Sequence, residues 1–199
     1  MQNGKSESDR RRRRRRRAVI IVIYVAIAVG LAWFFESQAT TTIIFVRHAE
    51  KAALPEDDPA LSPAGIRRVA ELTRQLVDAD VVAGVDAIYS TPFRRTRETV
   101  TPLSKALGLP INSYDPDDNE AVLEAILKNH KGKIILVVAH SNTVPTLIAD
   151  LGASKKVPPI AEGEYDNIYI ISIPWFGKTK TIRLRYGEPY VGSPAADAI

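Results

Sequence analysis

Side chains suited to phosphate chemistry follow three apolar segments of the chain. They are RHAE at 47–50, STPFRRTRET at 90–99 and HSNT at 140–143. If the apolar segments are parallel strands of one α/β sheet, their carboxyl ends share an edge, where such folds place their sites. We therefore expect two of the three histidines and a cluster of arginines to meet there. The third, His130, is expected to be a solvated residue near the end of a helix.

These residue types suit phosphoryl transfer. A neutral imidazole can attack phosphorus and form a phosphoramidate that water later cleaves. Arginines hold phosphoryl oxygens with charge-assisted bonds, a second histidine can donate to the same oxygens, and free amides at the helix start after His140 would add to the anion site. No carboxylate cluster suggests magnesium and no glycine-rich loop suggests a nucleotide. Each feature alone is also compatible with a surface turn, a solvated helix face or a core histidine; their coincidence favours a site.

Alternating strands and helices must position these groups. Strands are predicted over 41–46, 86–90, 111–114, 133–139, 168–173 and 179–186, the last two forming a hairpin. Helices are predicted from 62–63 onward, over 94–107 with Pro102 kinking or restarting it, over 119–128 and over 143–151. The helix after 62–63 should bury Ile66, Val69, Ala70, Leu72, Leu76 and Val77. This order indicates an α/β sheet covered on both faces.

Charge is distributed unevenly along the 199 residues, whose formal net charge is +4. Residues 1–17 contain nine bases, eight of them in the run 10–17, and two acids, so they carry +7 and the remainder carries −3. A mildly acidic body disfavours binding to nucleic acid. The sequence has no cysteine, which excludes disulfides, a thiol nucleophile and cysteine-ligated metals.

A segment of 18 residues without charge, 18–35, follows the arginines. As a helix it would span about 27 Å, close to the bilayer core, and its aromatic end suits the interface. We predict a basic cytoplasmic tail (1–17), a single-pass signal-anchor helix (18–35), a linker (36–40) and an extracytoplasmic domain (41–199). The alternative is a signal peptide cleaved near Ala39, which gives a secreted or periplasmic protein. A buried core helix is disfavoured, because no face of the segment is polar.

Four motifs in order make residues 41–186 resemble the histidine phosphatase superfamily, the phosphoglycerate-mutase-like group. The first is Arg-His-(Gly/Ala)-Glu, and the second is a Leu-(Thr/Ser)-x-x-Gly helix start. The third is Ser-(Ser/Thr/Pro)-x-x-x-Arg-(Ala/Thr)-x-x-Thr, and the fourth is an apolar strand ending in histidine, here in the His-Ser-Asn-Thr form of a bacterial subgroup. The matching residues are Arg47, His48, Ala49 and Glu50; Leu61, Ser62 and Gly65; Ser90, Thr91, Arg95, Thr96 and Thr99; and His140.

The resemblance implies a role for each matched residue. His48 resembles the nucleophile that becomes phosphorylated, and Arg47, Arg95 and His140 resemble the rest of the phosphate pocket. The register of the third motif selects Arg95 rather than Arg94. The resemblance implies a three-layer α/β/α fold with a mainly parallel sheet, and neither a metal nor an organic cofactor. Further substrate-binding candidates are Glu50, Ser141, Asn142, Glu164 and Asp166.

One departure concerns the proton donor. Mutase-type members carry a carboxylate on an insertion with a Gly-x-x-Glu-Gly stretch, which this sequence lacks. The region 114–120 stands in its place and is short, and Glu164 or Asp166 is the other candidate acid. Without a dedicated acid, substrates with good leaving groups, such as phosphohistidine or an acyl phosphate, are favoured over phosphoglycerate mutation.

Together these features predict a membrane-anchored, metal-independent phosphatase that acts on a phosphomonoester or phosphoramidate through phosphorylated His48. Its substrate would be a small phosphorylated molecule or a phosphoprotein. The loops 52–59 and 153–163 are expected to set specificity. The alternative is a non-catalytic module that binds a phosphorylated ligand at the membrane.

Overall fold

The computed structural model describes residues 3–37, 40–78, 84–154 and 156–191. The chain divides into two compact units, Met1–Ala39 and Thr40–Ile199. The first contains one helix, α1 (Asn3–Ser37). Its segment Arg11–Phe35 is long and apolar enough to cross a membrane, with a mean hydropathy of 2.7 over its most apolar window. The candidate cleavage site includes Gln38 and Ala39, which lie outside the described residues.

The second unit alternates strands and helices, as the sequence predicts. Its elements are β1 (Thr40–Arg47), α2 (Pro63–Asp78), β2 (Ala87–Ser90), α3 (Arg94–Leu107), β3 (Ile111–Ser113), α4 (Asn119–Asn129), β4 (Ile134–Ala139), α5 (Thr143–Asp150), β5 (Asn167–Pro174) and β6 (Lys180–Arg185). The predicted bounds agree to within two residues. Pro102 lies inside α3, which continues through it as one helix, so of the two expected effects, a kink or a restart, the restart does not occur.

The strands form one six-stranded sheet in the order β3-β2-β4-β1-β5-β6. Strands β1 to β4 pair in parallel, whereas β5 is antiparallel to β1 and β6 is antiparallel to β5. The predicted mainly parallel sheet and the predicted hairpin are both confirmed.

Side chains alternate between the two faces of β1 and each face is covered by helices. Ile43 and Phe45 pack in a cluster with residues of α4 and α5, such as Ile126 and Leu147. Ile44 and Val46 pack in a second cluster with residues of α2 and α3, such as Leu72 and Leu103. This is the predicted three-layer α/β/α arrangement. At the centre of the sheet lie β1 and β4, whose runs 43–46 and 134–139 are wholly apolar.

Helix α2 departs from its predicted face. Ser62 caps it as expected, since its Oγ accepts from the Gly65 amide at 3.1 Å. However, Ile66 and Ala70 are exposed and Val77 is 37% exposed. Arg68 is buried instead and forms an ion pair with Glu50 at 2.8 Å. Helical periodicity alone could not reveal this, because a buried arginine depends on a partner 18 residues away.

Candidate active site

The pairing of β1 with β4 sets the two histidines side by side. Arg47 lies opposite Ala139 in the parallel register, so the next residues, His48 and His140, leave the sheet together. The His48 amide donates to the Ala139 carbonyl at 3.0 Å and continues this pairing for one residue. The two imidazole rings meet edge to face, with centroids 5.4 Å apart. Because β1 and β4 are neighbours and end at the same level, they bring together His48 and His140, which are 92 positions apart in the sequence.

The first turn of α3 brings Arg95 to the same pocket. Arg95 is one-sixth exposed, with its guanidinium 4.4 Å from the centroid of the Phe93 ring. Arg94 points elsewhere: it is 56% exposed and forms an ion pair with Glu98. The structure therefore places Arg95 in the pocket and Arg94 outside it, as the motif register predicts.

An open pocket of about 600 Å³ contains the four residues expected to bind phosphate. Arg47, His48, Arg95 and His140 line it together with Ser141 and Asn142 from the start of α5. The remaining lining residues are Lys51, Phe93, Pro116, Asp117, Thr143, Ile160 and Glu162. The predicted groups therefore converge at the carboxyl ends of the parallel strands, the place expected for an α/β fold.

A hydrogen bond fixes the tautomer of His48. Its Nδ1 lies 2.8 Å from the Ala49 carbonyl, which can only accept, so Nδ1 carries the proton. The lone pair of the neutral ring is therefore on Nε2. Burial lowers the pKa of His48 to about 3, and the charges of Arg47 and Arg95 add to this effect. The imidazole is neutral at pH 7, and no described residue forms a hydrogen bond with its Nε2.

His140 is held by hydroxyl groups at the end of β2. Its Nε2 lies 3.1 Å from Thr91 Oγ1, which also contacts Thr96 Oγ1 at 2.8 Å. The His140 amide donates to Thr143 Oγ1 at 3.0 Å. Burial, followed by the nearby Arg95 and Arg47, lowers the pKa of His140 to about 4. Both imidazoles are therefore neutral in the pocket at pH 7.

Arg47 is held between a loop and an aromatic ring. Its Nη1 donates to the carbonyls of Ala161 at 2.7 Å and Glu164 at 3.1 Å. Its guanidinium carbon lies 4.1 Å from the centroid of the Tyr165 ring. The stretch 162–166 is expected from the sequence to contribute carboxylates, and a role for this tyrosine is not predicted. Its position next to those acids in the motif-free loop gave no signal of its own.

Two buried cationic donors point to an anion. The Nε atoms of Arg47 and Arg95 are both buried and have no hydrogen-bond partner among the described residues. An unsatisfied buried donor is costly, and more so when it is charged. A phosphoryl group in the pocket would supply acceptors for such donors.

The structure does not bring Glu50, Glu164 or Asp166 into the pocket lining. Glu50 forms an ion pair with Arg68 at 2.8 Å. The Glu164 carboxylate accepts from the Ala161 amide and from Arg185, so it braces the loop that holds Arg47. Both carboxylates form hydrogen bonds or ion pairs with residues distant in the sequence, so these contacts could not be predicted before the fold was known.

Asp166 is likewise held in place. It is fully buried, accepts two hydrogen bonds from Arg185, at 2.8 and 3.0 Å, and accepts one from the Tyr190 amide. Burial alone would raise its pKa, but the hydrogen bonds from Tyr190 and Arg185 outweigh it and leave the pKa below its ordinary value. An ionised, enclosed carboxylate is a poor proton donor. The carboxylates that do line the pocket are Asp117 and Glu162.

Two further expectations are only partly met. The amides of Thr143 and Val144 donate to the His140 carbonyl, so these two are not available to an anion. His130 is half-buried, and its Nε2 lies 2.9 Å from the Tyr89 hydroxyl instead of being simply solvated.

Comparison with known proteins supports the resemblance. Residues 43–116 match the model of the histidine phosphatase superfamily (branch 1). No curated protein matches this sequence significantly. Among solved structures, the protein histidine phosphatase SixA complexed with tungstate is 19% identical, with a TM-score of 0.58, over 72% of this chain and 96% of that one.

Two other phosphatases have a similar fold. Phosphoserine phosphatase from Entamoeba histolytica, in complex with 3-phosphoglyceric acid, is 16% identical with a TM-score of 0.54, over 74% of this chain and 97% of that one. The mycobacterial glucosyl-3-phosphoglycerate phosphatase is 14% identical with a TM-score of 0.54, over 74% and 98%. The predicted phosphoglycerate-mutase-like fold is confirmed.

Proposed function

We propose that this chain, which matches the histidine phosphatase superfamily over 43–116, is a membrane-anchored phosphatase with His48 as its nucleophile. One observation carries the proposal. A neutral imidazole with a free Nε2 lies in the same pocket as two arginines whose buried Nε donors have no acceptor among the described residues. This arrangement suits a phosphoryl group bound by the arginines and attacked by His48.

The reaction proceeds in two transfers. In the first, the Nε2 lone pair of His48 forms a bond to phosphorus, and the bond to the leaving group breaks. In the second, a water molecule attacks the phosphohistidine, its oxygen bonds to phosphorus, and Nε2 recovers its lone pair as phosphate leaves. The proton lost by the water ends on phosphate or solvent. Covalent catalysis of this kind replaces one difficult step with two easier ones.

Arg47 and Arg95 stabilise the charge on the phosphoryl oxygens. Their guanidinium carbons lie over the rings of Tyr165 and Phe93, and their Nε donors, which have no acceptor among the described residues, are available to phosphoryl oxygens. Because both arginines are held before substrate binds, little reorganisation is needed in the transition state. His140 supplies a second imidazole within reach of the same group.

The leaving group receives its proton from Asp117 or Glu162 or from water. Both carboxylates are exposed at the pocket, and neither is held by an ion pair among the described residues, unlike Glu164 and Asp166. A phosphoramidate or acyl phosphate needs less help from such a donor than an alkyl phosphate does. We therefore propose phosphohistidine in a protein, or an acyl phosphate, as the preferred substrate class.

The helix α1 anchors the enzyme in this proposal, and eight arginines at its start keep the N-terminus in the cytoplasm. The domain from 41 onward then lies outside the cytoplasm.

Matched arginine variants test the phosphatase proposal. The full chain in detergent should hydrolyse p-nitrophenyl phosphate in the presence of a chelator, and His48→Ala should abolish turnover. Arg95→Ala should lower kcat/KM by about 10²- to 10³-fold, as loss of a transition-state donor does. Arg94→Ala should stay within about two-fold of the parent because that side chain lies outside the pocket. Equal effects of the two substitutions would contradict the proposed site.

The same assay separates the alternative function. Tight binding of tungstate without turnover of any phosphoramidate, acyl phosphate or phosphomonoester would favour a phospho-ligand-binding module. Substitutions of the rim acids test the proton donor. Glu162→Gln or Asp117→Asn should slow hydrolysis of an alkyl phosphate and spare p-nitrophenyl phosphate, whose leaving group needs no proton.

A further inference from the structure

His140 has one ring nitrogen in a network of hydroxyl groups and the other open to the pocket. Its Nε2 lies 3.1 Å from Thr91 Oγ1. Its Nδ1 forms no hydrogen bond with a described residue, yet it is not among the enclosed atoms that lack a partner. His140 is only 9% exposed and lines the pocket, so Nδ1 opens onto the pocket. The nitrogen that carries the proton of the neutral ring therefore decides what a bound phosphoryl group meets.

The hydroxyl network determines where that proton lies. Thr91 and Thr96 are fully buried, and each hydroxyl group has one hydrogen to donate. Thr96 Oγ1 lies 2.8 Å from the Phe93 carbonyl and 3.0 Å from the Thr91 carbonyl, which only accept, so its hydrogen is directed to them. The 2.8 Å contact between the two hydroxyl oxygens must then use the hydrogen of Thr91. The reverse direction would leave Thr96 Oγ1 against two carbonyl oxygens with no hydrogen between them.

His140 is therefore a hydrogen-bond donor to Thr91. Because the hydrogen of Thr91 is directed to Thr96, Thr91 Oγ1 accepts from Nε2, so Nε2 carries the proton and Nδ1 has the lone pair. His48 has the opposite tautomer, since its Nδ1 donates to the Ala49 carbonyl. Each imidazole of the site thus presents a lone pair to the pocket. That of His48 attacks phosphorus in the proposed reaction, whereas that of His140 has no role in it.

A lone pair in this position does not suit a fully ionised phosphoryl group. The phosphoryl oxygens and Nδ1 would all be acceptors, with no hydrogen between them. The other charged or titratable residues that line the pocket are Arg47, His48, Lys51, Arg95, Asp117 and Glu162. None of them forms a hydrogen bond with Nδ1, so the hydrogen must come with the ligand or from solvent.

We propose that the pocket binds a phosphoryl group together with one proton, which lies between a phosphoryl oxygen and Nδ1 of His140. This inference rests on the phosphate site of the proposed function and specifies the form of its substrate, the singly protonated monoanion. His140 then accepts a hydrogen bond, in contrast to the donor role expected from the sequence.

The proton belongs with the phosphoryl group and not with the free imidazole. The second pKa of a phosphate monoester is about 6, so the monoanion is readily available at neutral pH. Burial, followed by the charges of Arg95 and Arg47, lowers the pKa of His140 to about 4, so protonation of the empty site is less favourable. A dianionic ligand must therefore take up a proton from solvent when it binds.

Proton uptake on binding tests the inference. The probe is phenylphosphonate, a dianion above its second pKa, whose carbon–phosphorus bond a phosphatase does not hydrolyse. Calorimetric titration of the full chain in detergent, well above that pKa and in two buffers of different ionisation enthalpy, measures the protons taken up. We expect uptake of about one proton per bound phosphonate, and a Kd that rises about tenfold per pH unit in this range. Binding without uptake, with a Kd that does not depend on pH, would overturn the inference.

Variants of the lining residues locate the proton. His140→Gln, whose amide can donate to a dianion, should reduce the uptake to near zero. His48→Ala should keep it, although that ring also has a lone pair in the pocket. Asp117→Asn and Glu162→Gln are the matched controls among the lining acids and should keep it too. Uptake that is retained in His140→Gln and lost in any of the other variants would assign the proton to another group and overturn the inference.

Thr91 tests the tautomer as a positioning residue. Thr91→Val removes the acceptor of the Nε2 proton, so the ring can place its proton on Nδ1 and donate to a dianion. The uptake should fall in this variant and be retained in Thr91→Ser, which keeps the hydroxyl group. Unchanged uptake in Thr91→Val would contradict control of the tautomer by this network.

Nitrogen-15 spectra show the tautomers directly. The chain has three histidines, so labelling of histidine gives few signals, which His48→Ala and His140→Gln assign. In the free chain His140 should have a protonated Nε2 and an unprotonated Nδ1, and His48 the reverse. A proton on Nδ1 of His140 would overturn the inference.

Failure of this inference differs from failure of the proposed function. A chain that binds no phosphonate would contradict the phosphate site and both proposals. A chain that binds phosphonate without proton uptake would contradict the inference alone, and hydrolysis of p-nitrophenyl phosphate would still depend on His48. Proton uptake in a chain that hydrolyses no phosphorylated substrate would support the inference and contradict the proposed catalysis.

Discussion

Gly65 tests whether the start of α2 holds the catalytic segment in position. A Cβ added at Gly65 would overlap the Glu50 carbonyl oxygen and approach the Glu50 carbonyl carbon and nitrogen at 3.1 Å. The obstruction is backbone and cannot rotate away. The same carbonyl also accepts from the Ser62 amide at 2.8 Å, so the two segments are tied where the new methyl group would enter. Gly65→Ala must therefore push α2 and the Glu50 segment apart.

The size of the effect follows from this contact. The two segments must separate by about 1 Å before the contact reaches an ordinary non-bonded distance. Overpacking of this kind costs about 1–3 kcal/mol of stability. Glu50 is two residues after His48, and the carbonyl that fixes the His48 tautomer belongs to the residue between them, Ala49. Because misplacement by about 1 Å can cost 10²-fold in rate, we expect kcat/KM to fall by about 10- to 100-fold.

Gly108 provides the matched control. It ends α3 with φ of +67°, and a Cβ there would meet no atom within 4 Å. Gly108→Ala should cost about 1 kcal/mol through backbone strain alone. Thermal melting of the full chain in detergent and hydrolysis of p-nitrophenyl phosphate are measured for both variants. Both variants should have a lower melting temperature than the parent, and only Gly65→Ala should lose activity. Wild-type kcat/KM in a folded Gly65→Ala variant would refute the reasoning.

Three further predictions follow from the charges of the site. His48 and His140 have folded pKa values of about 3 and 4, whereas unfolded histidines titrate near pH 6.5, so the unfolded state binds more protons between these values and stability falls as the pH drops below about 6.5. At pH 5 this proton uptake lowers the free energy of unfolding by about 2 kcal/mol per histidine. The melting temperature of the parent should therefore fall further between pH 7 and pH 5 than that of a variant with asparagine at both positions. Equal decreases in melting temperature would contradict the pKa values. Arg185→Met leaves the buried Asp166 without its cation and should lower the free energy of unfolding by about 2 kcal/mol, less than for a fully buried pair because Arg185 is 43% exposed. It should also raise KM, because the loop that holds Arg47 is loosened. An unchanged melting temperature and KM would argue against this stabilising role of Arg185. Arg95→Ala should weaken competitive inhibition by tungstate by about 10- to 100-fold, the loss of one charged hydrogen bond, and an unchanged inhibition constant would exclude Arg95 from the anion site.

The sheet could be predicted from the sequence because its central strands are continuous apolar runs between clear helix signals. The same edge rule that places sites in α/β folds predicted that 47–50, 90–99 and 140–143 would meet. The pairing of Arg47 with Ala139 explains why: it sets His48 beside His140. Local pattern and topology were sufficient here, since the side chains directly follow the strands.

The acidic residues could not be assigned in this way. Glu164 and Asp166 were expected to be available to the substrate, but both form ion pairs with Arg185 of β6, about twenty residues later in the chain. Glu162, in the same short stretch, lines the pocket instead. Which carboxylate of such a loop faces a ligand depends on tertiary partners that no local pattern contains. Tyr165 was missed for the same reason.

The direct test of the account is detection of phosphate on His48. The full chain is mixed with a radiolabelled phosphoramidate or acyl phosphate and quenched rapidly in base, in which phosphohistidine survives. Peptide mass spectrometry then locates the label, with His130→Ala as the control for a histidine outside the pocket. The account predicts a base-stable, acid-labile phosphate on His48, retained in His130→Ala and absent from an inactive His48→Ala variant. Full turnover in His48→Ala, or label on another residue, would contradict it.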